Sequence, residues 1–485
     1  MKRSWYFGLF LCLLTFQVSS EQTTALPDLG DPSEAVLTAR QERRLGETIM
    51  HQIRQNLDIL PDRAVQNYLQ SLGNRLTAQN TDSQFPFYFF AVNDMSINAF
   101  ALPGGFIGVN TGLILAAQDE DELASVLAHE SAHVSQHHIS RLYAHAEQVQ
   151  LSTIAGAIAS IILATQNMDA GSGALMATMA NQQQSMLNFS RDNEKEADRI
   201  GIQLLHEAGF DPDAMPRFFE KLWKKTQYYG QQMPEYLQTH PLTTARIADS
   251  RARANQWPLQ PSPSNLTFLL IQAKIRAENF SDRQEAATYF NHMRKKNPVG
   301  PEYIAAEYGR SVSELKWGAP KIALSFLEKL KNQLPQELLI QAAYAQSLYD
   351  AGQTSQAFRF LSRVRTRHPS DLALILQYNE WLLNQKKAKT AIQSLRQYQL
   401  RYGETPETLE MLSKAYSILP DNTQMHLTQA RYLMSVGDNR GALHQLNSAK
   451  QKVSKNSKVA LQIDAQTEDI KRLIEEVEGR PLKTL

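Results

Sequence analysis

The stretch Leu127-Ala128-His129-Glu130-Ser131-Ala132-His133 holds the pattern H-E-x-x-H inside a segment that reads as helix. Two imidazoles at i and i+4 share one helix face, close enough to grip a single zinc ion. The glutamate between them is placed to activate water at that ion. Residue usage alone would produce the pattern in roughly one or two of a hundred chains this long, so the surroundings decide. Asp119-Glu120-Asp121-Glu122 supplies a cap and first-turn acids, and Leu123, Val126 and Leu127 recur at helical spacing. At about 100° per residue, His129 and His133 point nearly the same way. His137 stays roughly on that side a turn later, and His138 points well away. Gln136 and His137 do not fit the metzincin pattern of a Gly followed by a third His, so the third ligand comes from elsewhere.

Asn193-Glu194-Lys195-Glu196-Ala197-Asp198 is the candidate source. Ser190 can cap a helix here, and Gly209-Phe210-Asp211-Pro212 can end it. Glu194 and Asp198 lie on one face at i and i+4, with Glu196 nearly opposite. A metal-bound His usually needs a carboxylate on its other ring nitrogen. That favours Glu194 as ligand and Asp198 as the group orienting a ligating His, with Glu196 as the alternative ligand. Without the upstream motif these charges would read as a solvated helix face.

Four stretches together resemble the M48 family of zinc metallopeptidases, over about residues 85 to 250. They are Asn98-Ala99-Phe100-Ala101-Leu102-Pro103-Gly104-Gly105, Leu127 to His133, Glu194 to Asp198, and Thr239-His240-Pro241 with Arg246. The resemblance implies one zinc on His129, His133 and Glu194, Glu130 as general base, and a catalytic or supporting role for Asp198. It also points to Asn98, Ala99, Phe100 and Ala101 as substrate-binding. His240 and Arg246 are the regulatory or transition-state candidates. His240 either completes the metal shell and silences the enzyme or donates to the oxyanion.

The 485 residues suit two or three domains, and 50 basic against 49 acidic residues leave a net charge of +1. That balance gives no electrostatic case for nucleic acid. Met1-Lys2-Arg3, an apolar run from Trp5 to Phe16 and then Val18-Ser19-Ser20 make a secretory leader cleaved after Ser20. Cys12, the sole cysteine, leaves with it, which suits an oxidising compartment such as the periplasm of a Gram-negative bacterium. The later apolar runs, Ile154 to Ala164 and Ala174 to Ala180, fall short of the roughly 20 residues of a membrane span. No span is therefore expected in the mature chain, and these runs form a helical hairpin that covers the cleft or completes the core. Phe85 to Thr111 reads as strand and turn, able to take an extended peptide by edge pairing.

Past Gln256-Trp257-Pro258 comes the linker Leu259-Gln260-Pro261-Ser262-Pro263-Ser264, then helix after helix. Ala287, Ala323, Ala357 and Ala391 recur at 36, 34 and 34 residues, and Pro298, Pro335, Pro369 and Pro406 at 37, 34 and 37. A period near 34 with small residues at helix contacts is the tetratricopeptide pattern. Ala442 follows Ala391 only after 51 residues, so one repeat is irregular or carries an extra helix, and Leu461 to Glu478 caps the array. The expected fold is mainly α: a zincin-type, gluzincin-like α+β metallopeptidase domain followed by an α-solenoid of tetratricopeptide repeats. The boundaries read 1–20 leader, 21–257 peptidase, 258–265 linker and 266–485 repeats. The whole layout resembles a repeat-bearing periplasmic branch of the M48 family. That implies a protease with a chaperone-like role on unfolded or stalled outer-membrane barrel proteins. The partners it implies are the barrel assembly machinery and the lipopolysaccharide-translocon barrel.

Overall fold

The computed structural model describes residues 37–78, 86–143, 155, 156, 158–160, 162, 191–229, 234–258, 265–455 and 457–478. The leader, the linker 259–264 and most of the 154–180 hairpin lie outside the described residues.

Two helices open the described chain. In α1 (Ala39–Asn56), Thr38 and Gln41 form a capping box. In α2 (Arg63–Thr77), the Asp62 carboxylate accepts from the Ala64 and Val65 N–H groups. Three strands follow, β1 (Tyr88–Val92), β2 (Ala99–Leu102) and β3 (Phe106–Asn110), in the order β1-β3-β2. β1 runs parallel and β2 antiparallel to β3, so β2 is an edge. After α3 (Thr111–Ala116) comes α4 (Glu120–Ser135), every residue of which is buried. A helix surrounded on all sides has no use for an apolar stripe, which explains its mixed sequence. Its acids are answered individually: Glu120 by the Tyr68 hydroxyl, Glu122 by Lys221 and Asp121 by the Asp211 N–H. The chain continues through α5 (His138–Tyr143), α6 (Arg191–Glu207), α7 (Ala214–Tyr229), α8 (Glu235–Thr239) and α9 (Thr244–Ala254).

Of the 154–164 run, Ala155, Ile158, Ala159 and Ile162 are buried against Leu45, Ile49, Ile53, Phe90 and Phe100. That part completes a core beneath α1 and the sheet. No helix among the described residues is long and apolar enough to cross a membrane.

Twelve helices from α10 (Leu266–Asn279) to α21 (Lys458–Glu478) make up the rest; α10 packs on the helix Pro301–Lys316, and from Arg283–Lys296 onward each packs on the next in sequence. The molecule is thus mainly α, an α+β peptidase fold followed by a helical array. Ala287, Ala323, Ala357, Ala391 and Ala442 are all buried, each one turn into the second helix of a pair. Two helices, Pro406–Ser417 and Thr423–Ser435, separate the last two, so the 51-residue step contains one extra helix.

The turns inside four of the pairs reuse one geometry. Gly318, Gly352 and Gly437 have φ of 70°, 80° and 84°, and Lys386 occupies the same place at 56°. In each turn the following N–H reaches back to the carbonyl five residues earlier, as from Lys387 to Leu382. A side chain in this left-handed region costs roughly 1 kcal/mol that glycine does not. Lys386→Gly is therefore expected to stabilise the array by about 1 kcal/mol, seen as a higher urea midpoint. A lower midpoint would show that the lysine contributes more than its backbone costs.

The array does not stand clear of the peptidase fold. Phe268, Ile271 and Ile275 of α10 are buried in the same core as Leu69, Leu123, Leu127 and Phe218. Gln272 donates to the Ile114 and Ala117 carbonyls at 2.9 and 2.8 Å, and Lys274 pairs with Asp62 at 2.9 Å. Farther on, Arg63 meets Glu380 at 3.0 Å and Arg54 donates to the Val436 carbonyl at 3.2 Å.

Candidate active site

The buried helix α4 carries His129 and His133 on one face, with their Nε2 atoms 3.0 Å apart. Helix α6 lies against it, presenting Glu194, Ala197, Asp198, Gly201 and Ile202 as its buried stripe. Gly201 sets the spacing: a Cβ there would stand 3.2 Å from the His129 nitrogen and 2.8 Å from the Met215 methyl. That close approach brings Glu194 Oε1 to 3.4 Å from His133 Nε2 and Glu194 Oε2 to 3.6 Å from His129 Nε2. Gly209, with φ of 76°, ends the helix, and the Phe210 N–H returns to the Leu205 carbonyl.

The His-Pro loop closes the group. His240 is buried, with Nδ1 3.0 Å from Glu194 Oε1 and 3.4 Å from His129 Nε2. Its Nε2 faces Glu130 Oε1 at 3.4 Å. One ligand atom each from His129, His133, Glu194 and His240 lies within 4.8 Å of the others, and all four residues are buried.

Behind the cluster sits a salt-bridged support. Arg246 donates through Nε and Nη2 to both Asp198 oxygens at 2.8 Å, through Nη1 to the Pro241 carbonyl at 2.8 Å, and lies 2.6 Å from Glu194 Oε2. A bidentate fork of this kind fixes geometry as well as charge. Asp198 Oδ1 in turn lies 3.0 Å from His129 Nδ1.

The electrostatics call for a cation at the centre. Burial opposes a charge on His129, but hydrogen bonding to Asp198 and Glu194 and their negative charge outweigh it, raising the imidazole to about 9. Burial and the charge on His129 push His133 well below the usual range. Glu194 is held well below the usual carboxylate range against its burial by His240, His129 and Arg246, and Asp198 is lowered by Arg246 and His129. Burial raises Glu130, with His240 and His129 pulling back. The buried donor set of three imidazoles and a carboxylate fits a metal such as zinc.

Asn98 to Ala101 sit at the edge strand beside this centre. Asn98 is buried with an Oδ1 that has no hydrogen-bond partner, and its carbonyl accepts from the Asn110 N–H at 3.0 Å. Ala99, Phe100 and Ala101 pair inward with Val109, Gly108 and Ile107. Among the described residues β2 has no strand on its outer side.

Three residues near the centre escape a helical-wheel reading. Tyr236 is buried, its ring stacked on His240 at 4.8 Å, and its N–H donates to the Ile97 carbonyl. His138 returns to His133, with their Nδ1 atoms 2.8 Å apart. Glu196 is absent from the metal cluster and meets His138 Nε2 at 3.1 Å. The wheel misplaced His138 because α4 stops at Ser135 and His137 turns the chain with φ of 51°.

A buried H-E-x-x-H helix crossed by a carboxylate helix defines a metallopeptidase in which a glutamate joins two histidines. The chain belongs to peptidase family M48, whose sequence profile matches residues 63–254. It is 31% identical over 450 residues to the beta-barrel assembly-enhancing protease of Yersinia pestis, covering 93% of this chain and 92% of that one. It is 33% identical over 454 residues to the putative beta-barrel assembly-enhancing protease of Vibrio cholerae serotype O1, with 93% of each chain covered. The mitochondrial metalloendopeptidase OMA1 of Schizosaccharomyces pombe is 33% identical over 180 residues, covering 37% of this chain and 50% of that protein.

Proposed function

We propose that this metalloendopeptidase works in the periplasm, after removal of residues 1–20, on outer-membrane barrel proteins that have failed to assemble. The observation that carries the reading is the four-donor cluster within 4.8 Å, in a chain similar over nearly its full length to proteases named for barrel assembly. Degradation of stalled barrels and a chaperone-like effect on their assembly are two outcomes of holding one class of client. The barrel assembly machinery and the lipopolysaccharide-translocon barrel are the proposed partners, held by the repeats from 266 onward, while residues 21–257 carry the chemistry.

His129, His133 and Glu194 hold one zinc. Bound there, zinc supplies a Lewis acid that acidifies water and polarises the scissile carbonyl. Glu130 takes the proton of the attacking water and returns it to the leaving nitrogen, a role suited to a buried carboxylate with a raised pKa. Asp198 fixes His129 through Nδ1, and Arg246 fixes Asp198. Asn98 to Ala101 receive the substrate as an added strand on β2, through main-chain hydrogen bonds that demand little of its sequence.

His240 restrains the resting enzyme. Its Nδ1 faces the same point as the three ligands, so it can complete a four-coordinate shell and remove the open position that catalysis needs. A closed form that leaves about 1–10% of molecules open would gain about 10-fold or more in rate when His240 is replaced by Ala. The test incubates the zinc-loaded mature chain with a urea-unfolded barrel protein and with the same protein folded. Cleavage confined to the unfolded form, faster and joined by self-cleavage in His240→Ala, is the expected result. Equal cleavage of the folded form defeats the client assignment, and a fall in both rates in His240→Ala defeats the restraint.

A further inference from the structure

His129 and His133 are supported unequally. The ring nitrogen of His129 that faces away from the cluster has a carboxylate beside it, Asp198 at 3.0 Å. The corresponding nitrogen of His133 meets an imidazole, His138 Nδ1 at 2.8 Å, and His138 Nε2 meets Glu196 Oε2 at 3.1 Å. The His138 side chain is wholly buried, whereas that of Glu196 is 32% exposed. Arg141 Nη2 lies 3.3 Å from the same Glu196 oxygen and keeps it acting as an acceptor.

Two imidazole nitrogens 2.8 Å apart share one proton, and which ring owns it follows from the ends of the chain. A metal ligand must offer a lone pair, and the His133 atom at the cluster is Nε2. Neutral His133 then carries its proton on Nδ1 and donates to His138 Nδ1. His138, accepting there, carries its own proton on Nε2 and donates to Glu196. Every donor meets an acceptor in this arrangement, and reversing any one tautomer leaves two lone pairs or two protons facing each other.

We infer that His138 and Glu196 are a positioning pair that fixes the tautomer and ring plane of His133 for metal binding, an imidazole relaying a carboxylate where Asp198 acts directly on His129. The inference rests on His133 being a ligand, as proposed above. The pair touches neither substrate nor metal. Its contribution is to metal affinity, where partners of this kind are worth about 10–100-fold.

The test measures zinc affinity of the full mature chain by competition with a chromophoric chelator, beside the melting temperature of the metal-free protein. His138→Phe keeps a ring of similar size but cannot accept the His133 proton, and is expected to bind zinc about 10–100-fold more weakly with metal-free melting unchanged. His138→Gln offers an amide oxygen to the same proton and should recover most of the loss, which a purely space-filling role would not predict. Glu196→Leu, at a part-exposed site, tests the far end without disturbing the core and should also weaken binding. Wild-type affinity in both His138→Phe and Glu196→Leu, with loss in His133→Ala, overturns the pair alone. Unchanged affinity in His133→Ala overturns the ligand assignment and the pair with it. Should His138→Phe fail to fold, the Glu196→Leu measurement decides.

Discussion

Glu130→Gln is expected to keep the fold and the zinc and to lower kcat on an unfolded barrel protein by about 10²–10⁴-fold. The amide has the size of the carboxylate but cannot take a proton from water. Glu130 is wholly buried, and its Oε1 lies 3.4 Å from His240 Nε2. Removing a charge that burial already disfavours should leave melting temperature the same or slightly higher. Zinc content by elemental analysis, measured beside kcat, separates a lost base from a lost metal. Activity near wild type with zinc retained would remove Glu130 from the chemistry, and loss of zinc would move it into the metal shell.

Cutting the chain after Trp257 is expected to unfold the peptidase part. Phe268, Ile271 and Ile275 fill its core from helix α10, and each such side chain is worth about 2–5 kcal/mol when truncated. Together, at about 6–15 kcal/mol, they are comparable to the roughly 5–15 kcal/mol that holds an ordinary domain folded. The cut also strips Gln272 from the Ile114 and Ala117 carbonyls and leaves Asp62 without Lys274. A chain ending after Leu334 keeps α10 and packs it under the next helix pair, so it should fold and bind zinc yet lose the proposed repeat-borne partners. Circular dichroism, zinc content and pull-down of the barrel assembly machinery read the three outcomes. A chain ending at Trp257 that melts and binds zinc like the full protein would show that α10 is dispensable to the core.

The peptidase class was legible because its chemistry is local. His129, Glu130 and His133 lie within five residues of α4, where spacing alone fixes direction, and Glu194 and Asp198 do the same on α6. The helical array was legible because a repeated packing problem writes a repeated sequence: a buried Ala at each close helix contact and a glycine at each left-handed turn. Lys386 broke that rule in the sequence, and only the backbone shows that it occupies the glycine's place.

What the sequence by itself determined is therefore the set of elements and the residue types each carries to the site. The tertiary structure decided which of them meet. His240 reaches the metal cluster from a separate loop, held by Arg246 through Pro241 and Asp198, and no periodicity encodes a contact 111 residues from His129. His138 reaches His133 because the helix stops and the chain reverses at His137, which a continuous helical wheel cannot represent. The core runs across the compositional linker because apolar side chains of α10 bury against α2 and α3, whatever the chain between them is made of. Local propensity acts over a turn or two, whereas burial and charge pairing act between any surfaces the fold brings into contact.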